Sequence, residues 1–384
     1  MTMLQGKLGD RAGESFDWAL FIVSVLIAAI GVANLWSATS VYTQARADLY
    51  VTQFIFLAVG SVLAVGIVAV DYRHIERFAY VIYTSGVLAL IIVLVFGKDI
   101  RGSKRWIDIG SFAFQPSEFM KLCLIVALAK LFHESPRSDN AKGLKDLAAP
   151  AALAAVPFLL VYRQPDLGTA LILGLIFFSV AALVRVRWQS LVGLTVAAAI
   201  VGPLAYSRLE DYQLKRLTSF LNPESDITGA GYHAYNAKVA IGNGGLLGQG
   251  FRQGTQNQFY FLPDQFSDFP FPVFAEDWGF AGSVVLILLY AFLVIWAVRI
   301  ASHAKDRFGA AVAIGVGAMI FWHAFFNLGM VTGILPVVGV TLPLFSYGGS
   351  SVLTILMGLG LLMNVSMRRP HMSTVRTDRM LFAR

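Results

Sequence analysis

Cysteine is almost absent: the 384 residues hold one, Cys123. A lone thiol excludes an internal disulfide framework, and its place in an apolar run suits a small buried hydrophobe. Histidine is nearly as sparse. There are six, and His233, His303 and His323 are too scattered to give metal-ligand spacing, so no metal residues are assigned. No nucleophile-elbow motif occurs. Charge is scarce too, since Asp, Glu, Lys and Arg make up only 14% of the chain while 57% is hydrophobic. Together with a mean hydropathy of +0.67, that balance excludes an ordinary soluble domain of this length.

What the chain has instead is a series of long apolar runs. A helix needs about 20 such residues to cross a bilayer. Ten runs qualify, near 16–38, 50–70, 78–97, 115–133, 147–162, 167–184, 189–207, 273–298, 308–330 and 346–366. The first lacks the cleavage site of a signal peptide and is long enough to span. The fifth is short and holds Pro150 and Pro157. The fold class expected is an all-α integral membrane protein of about ten transmembrane helices with one large extracytoplasmic loop. It forms a single polytopic domain over residues 1–384, with the loop at about 208–271 and a basic cytoplasmic tail at about 367–384.

Orientation follows from Lys and Arg. Arg73, Arg77, Arg137, Lys142, Lys145, Arg185, Arg187, Arg299, Lys305, Arg307 and the tail arginines all fall on one set of segments. By the positive-inside tendency that set is cytoplasmic, as are both termini, and the long insertion faces outward. The net charge of +7 then reflects topology and contact with anionic lipid, with no nucleic-acid partner implied.

The outer segments carry the chemistry. Arg101, Lys104 and Arg105 crowd one of them beside Trp106. They suit an anionic head group, which Arg binds bidentately and Lys as a point charge; the alternative is a solvated loop anchored by the Trp. Next, Pro116 fits the first position of a helix, and Glu118 and Lys121 share a helix face three residues apart. Intramembrane charge is costly, which favours lining of a cavity over a purely structural ion pair. Asp166 suits the N-cap of the sixth span, with Thr169 three residues on, and Arg163 and Gln164 beside it leave room for a second role. The run from Ile241 to Gly250 is glycine-rich but lacks the Lys-Ser/Thr ending of a phosphate loop and a strand before it.

Asp264 and Asp268 close the insertion. Pro270 and Pro272 bias Phe269 and Phe271 toward extended backbone. That leaves Asp268 among aromatic residues at the mouth of the eighth span, where desolvation favours general-base duty; a capping or solvated Asp is the plainer reading. Glu276 and Asp277 suit the dipole of the helix that follows. The last outer loop, Gly333 to Pro343, is uncharged, and Ser346-Tyr347-Gly348-Gly349-Ser350-Ser351 reads better as packing than as a ligand site.

Taken together, Gly102-Ser103-Lys104-Arg105-Trp106-Ile107, Phe114-Gln115-Pro116-Ser117-Glu118, Gln164-Pro165-Asp166-Leu167-Gly168-Thr169, Gly229-Ala230-Gly231-Tyr232, Phe261-Leu262-Pro263 with Asp268-Phe269, and Ser346 to Ser351 resemble the SEDS family (shape, elongation, division and sporulation). Leu335-Pro336-Val337-Val338-Gly339-Val340 is similar to its RodA-like branch. The resemblance implies a peptidoglycan glycosyltransferase of the bacterial cytoplasmic membrane that polymerises lipid II beside a class B penicillin-binding protein. It aligns Asp268 with the family's essential aspartate. Candidates to hold the substrate pyrophosphate are then Arg101, Lys104, Arg105, Arg216 and Lys238, with Glu118, Lys121, Asp166 and Ser346 shaping the cavity. No cofactor is specified; a divalent cation could assist, but no residue is singled out as its ligand. The rival readings are a lipid II flippase and a non-catalytic scaffold. Two departures stand out: Pro270 follows Asp268-Phe269 where an aliphatic residue is usual, and Asn236-Ala237 replaces a common Gln-Ser pair.

Overall fold

The computed structural model describes residues 16–40, 42, 48–100, 103–110, 112–135, 144–183, 230–259, 261–262 and 265–369, with a few isolated positions between 192 and 220. Among the described residues, six helices are long and apolar enough to cross a membrane: α1 (Trp18–Thr39), α2 (Leu49–Ala69), α4 (Ala79–Phe96), α10 (Pro270–Ser302), α11 (Arg307–Val331) and α12 (Gly349–Met367). A seventh, α5 (Pro116–Glu134), matches them in length but carries four charged side chains, Glu118, Lys121, Lys130 and Glu134. Two shorter apolar helices, α6 (Ala148–Tyr162) and α7 (Leu167–Leu183), follow it. Helices thus occupy nine of the ten expected runs, six of them long and apolar enough to span, and the 189–207 run lies almost wholly outside the described residues. Short helices α3 (Tyr72–Arg77), α8 (Ala230–Asn243) and α9 (Thr255–Gln258) are the remaining α-helices among the described residues.

Side-chain caps set several starts. Asp17 Oδ1 accepts from Leu20 N at 3.2 Å for α1, and Asp306 Oδ1 from Gly309 N at 2.8 Å for α11. Each such cap contributes about 1 kcal/mol. Asp17 also accepts from Trp296 Nε1 at 2.9 Å and Ser366 Oγ at 2.6 Å, which ties α1 to α10 and α12 at that end of the bundle.

The layering follows burial. Only 11% of the apolar window of α2 is buried, against 83% for α12, so α2 faces lipid and α12 stands in the core with α5 and α11. Apolar residues exposed on α2, such as Phe54, Val62 and Val65, need no protein partner in a bilayer. A close approach joins α1 to the loop before α12: a Cβ at Gly31 would sit 2.7 Å from Phe345 Cα.

One element departs from the all-α expectation. Strands β1 (Lys98–Ile100), β2 (Ser103–Ile109) and β3 (Phe112–Phe114) form an antiparallel sheet, with Ile107 opposite Phe114 and Trp106 opposite Lys98. The strands are too short and too rich in cations to show a clean alternation of apolar and polar residues.

A second difference lies at α10. Phe271 is helical, and Phe269 (φ −118°, ψ 40°) is not extended. Pro270 takes the first helical position, and Pro272 stays within the first turn, where a missing N–H breaks no helical bond. Further along, Gly279 (φ 66°, ψ −163°) interrupts the helix. The break frees peptide groups, and the glycine-rich turn after α8 takes them up. Phe280 N donates to Gly245 O at 2.8 Å and Ala281 N to Leu246 O at 3.0 Å, while Gln249 N donates to Glu276 O at 2.9 Å and Gly250 N to Asp277 O at 3.1 Å. The glycines therefore serve a backbone-to-backbone dock.

Candidate active site

Asp268 occupies a turn just ahead of α10, half-buried. Its neighbours pin that turn on three sides. Gln265 Nε2 donates to Ala38 O of α1 at 2.8 Å, Tyr347 N donates to Phe266 O at 2.8 Å, and Asn327 Nδ2 of α11 donates to the Asp268 carbonyl at 3.0 Å. Phe269 is buried, with its ring 6.1 Å from that of His233 on α8. The carboxylate is thus carried on a fixed main chain at the junction of α1, α11 and the 332–348 loop.

Glu118 and Lys121 pair as their spacing implies, with Nζ 2.7 Å from Oε1. Both lie inside the protein rather than on an open cavity wall: Lys121 is 0% exposed and Glu118 6%. A buried charge needs more than one partner to offset its desolvation. Lys121 finds a second in His323 Nε2 at 2.7 Å. Glu118 Oε2 is buried with no hydrogen-bond partner, which leaves one acceptor for a further donor.

Arg105 is anchored to protein. Its guanidinium donates to Gln164 O at 3.1 Å and to Pro165 O, and lies 3.7 Å from Asp166 Oδ1. Asp166 caps α7 by accepting from Thr169 N at 3.2 Å, and also accepts from Gln115 Nε2 at 3.2 Å. Lys104 points the other way and is exposed, as alternation along β2 requires. Lys238 is exposed on α8, and its side chain crosses Gly333, where a Cβ would come within 2.0 Å of Lys238 Cε. That sets its ammonium near the C-terminus of α11, which favours a cation. Arg101, Arg216 and Asp264 fall outside the described residues. Ser346 is buried and closes a turn: its Oγ accepts from Leu342 N at 2.8 Å and its carbonyl from Gln53 Nε2 at 3.0 Å. Beside it Tyr347 is half-buried, and burial raises its hydroxyl above the ordinary value, so it stays protonated.

Glu276 and Asp277 are not first-turn dipole residues; both are buried anchors. Glu276 accepts from Thr255 Oγ1 and Gln256 N, each at 3.1 Å, and Asp277 from the Ser37 hydroxyl and from Arg252 N at 3.3 Å. They fasten the 244–258 segment over the N-terminal turns of α10. Sequence reading also passed over His323 and Asn327. The available signal was polar groups four residues apart inside an apolar span, hence on one face. Among the described residues no three of His, Cys, Asp and Glu gather as metal ligands.

With this geometry in hand, comparison with known proteins is decisive. The model of the FTSW/RODA/SPOVE family, described as cell cycle proteins, matches residues 17–371. The chain belongs to this family. Among its relatives, peptidoglycan glycosyltransferase MrdB of Escherichia coli (strain K12) is 38% identical over 318 residues, covering 83% of this chain and 85% of MrdB. A chain in a solved structure described as "structural coordination of polymerization and crosslinking by a peptidoglycan synthase complex" superposes with a TM-score of 0.79 at 33% identity, covering 93% of this chain and 99% of that one. The crystal structure of the rod shape determining protein RodA from Thermus thermophilus gives 0.69 at 31%, covering 92% and 98%. The FTSW/RODA/SPOVE fold thus extends over both the helical bundle and the elements that carry Asp268.

Proposed function

We propose that this chain is a peptidoglycan glycosyltransferase that polymerises lipid II at the outer face of the bacterial cytoplasmic membrane during cell elongation. The observation that carries the reading is Asp268, a carboxylate on a main chain pinned by α1, α11 and the 332–348 loop, in a chain whose relatives carry that activity in their names. A donor sugar outside the cell arrives on a lipid carrier, with pyrophosphate as leaving group. Asp268 removes the proton from the 4-hydroxyl of the acceptor sugar while that oxygen attacks the donor's anomeric carbon. The bond to pyrophosphate breaks, and cations stabilise the charge that develops on it. Lys104 and Lys238 are exposed cations suited to this; Arg101 and Arg216, outside the described residues, are candidates by sequence, and Arg105 and Asp166 shape the floor through the 164–166 turn.

The likeness to a chain of a peptidoglycan synthase complex supports a class B penicillin-binding protein as partner. A flippase reading finds less support. Transport asks for polar groups near the midplane, whereas Glu118 and Lys121 stand in the first two turns of α5 and bond each other. Purified protein given fluorescent lipid II separates the readings: glycan polymer supports the enzyme, translocation without polymer the flippase, and neither a scaffold.

A further inference from the structure

Two buried side chains of α11 take no part in the reaction as written. His323 and Asn327 stand one turn apart on the same face, 2% and 0% exposed. Each bridges the same loop to a different functional group. Asn327 Nδ2 donates to the Val340 carbonyl at 2.7 Å and to the Asp268 carbonyl at 3.0 Å, so both of its amide hydrogens are engaged. His323 Nδ1 lies 3.0 Å from the Thr341 carbonyl, and Nε2 lies 2.7 Å from Lys121 Nζ. A carbonyl only accepts, so Nδ1 carries the proton and Nε2 offers its lone pair to the ammonium.

Val340 and Thr341 are adjacent in a segment, 336–342, that has neither helix nor strand. Without the two α11 side chains, little regular structure would set its height. It is tied on its far side as well: Thr341 Oγ1 lies 2.8 Å from Ser351 Oγ of α12, and Leu342 N donates to Ser346 Oγ at 2.8 Å. One rigid helix face therefore holds the backbone under Asp268 and the buried Glu118–Lys121 pair against one shared strip of loop. The donor hydrogens of both side chains are engaged, while Asn327 Oδ1, like Glu118 Oε2, is buried without a partner; directional bonds of this kind favour one arrangement where apolar packing alone would permit several.

We propose that Asn327 and His323 are positioning residues for glycosyl transfer: Asn327 sets the Asp268 carboxylate through its main chain, and His323 sets the Lys121 ammonium. The 340–341 strip keeps the two in register. This rests on Asp268 being the base, so Asp268→Asn is measured beside each variant.

The test is steady-state polymerisation of fluorescent lipid II by the purified full-length protein, with thermal unfolding in the same detergent. Misplacing a catalytic group by an ångström costs about a hundredfold in rate. Asn327→Leu, similar in size but without the amide donors, should lower kcat by that order while KM holds. His323→Phe should do the same, and His323→Gln, which again offers one donor and one acceptor, should restore most of the loss. If Asn327→Leu keeps the wild-type kcat while Asp268→Asn is inactive, the positioning inference fails and the base assignment stands. An active Asp268→Asn overturns both. Should Asn327→Leu not accumulate, the histidine pair decides: equal kcat loss in His323→Phe and His323→Gln, in step with lowered unfolding temperature, means a purely structural role.

Discussion

At the scale of single residues, Asp268 and Lys121 represent two ways of placing a charge near a membrane. Asp268 is half-buried on a main chain fixed by α1 and α11, and an Asn in its place keeps the volume of the side chain. Asp268→Asn should keep folding and membrane insertion and cut polymerisation by about 10²–10⁴-fold, the usual loss on removing a general base. Near wild-type polymer on a gel would rule Asp268 out. Lys121 is the reverse case, fully buried between Glu118 and His323. Removing one member of a buried pair leaves an uncompensated charge and costs about 3–5 kcal/mol, more than removing both. Glu118→Gln and Lys121→Met should therefore be strongly non-additive in unfolding temperature, and a strictly additive double-mutant cycle would count against the pair.

Elements divide labour between their two faces. On β2, Arg105 faces the 164–166 turn while Lys104 is exposed. Lys104→Ala should raise the KM for lipid II with unfolding temperature unchanged, whereas Arg105→Ala should lower both activity and unfolding temperature. Identical stability loss in the two would remove the distinction. At the break in α10, Gly248 adopts φ +85°, and a Cβ there would lie 2.1 Å from Asp277 O. Gly248→Ala should destabilise by about 1 kcal/mol or more and open the 244–250 turn to protease. Gly66, where an added Cβ would meet no atom within 4 Å, serves as the control that Ala leaves unharmed.

Across the whole molecule, what was legible in the sequence is what local physics decides. Bilayer thickness fixes the length of a spanning run, so nine helices could be read from hydropathy within a few residues. Spacing along one helix revealed Glu118 with Lys121, and Asp166 with Thr169. Partners distant in the chain remained hidden: His323 lies 202 residues from Lys121, and Arg105 lies 59 from Gln164. The role of the glycine-rich run was hidden too, because its partner is a helix break visible only in three dimensions. The proposed outward orientation has its own test. In a Cys123→Ser background, Leu247→Cys, 83% exposed on the loop, should react with a membrane-impermeant maleimide added to intact cells. Labelling only after lysis would invert the topology.

The C-terminal end of α1 has a consequence for biosynthesis. Asn34, Ser37 and Ala38 meet Pro270, Asp277, Asn257 and Gln265, across 236, 240, 220 and 227 residues of chain. Helix α1, made before the other described helices, thus waits for most of the protein before two of its last carbonyls gain these loop donors. Until then it is held by its apolar length and its packing against α2. Nascent chains stalled before Asn257 should leave α1 inserted but readily extracted or exchanged, and release past Asp277 should lock it. Maturation of this enzyme then proceeds from the membrane outward, with the loop closing last over a bundle already in place.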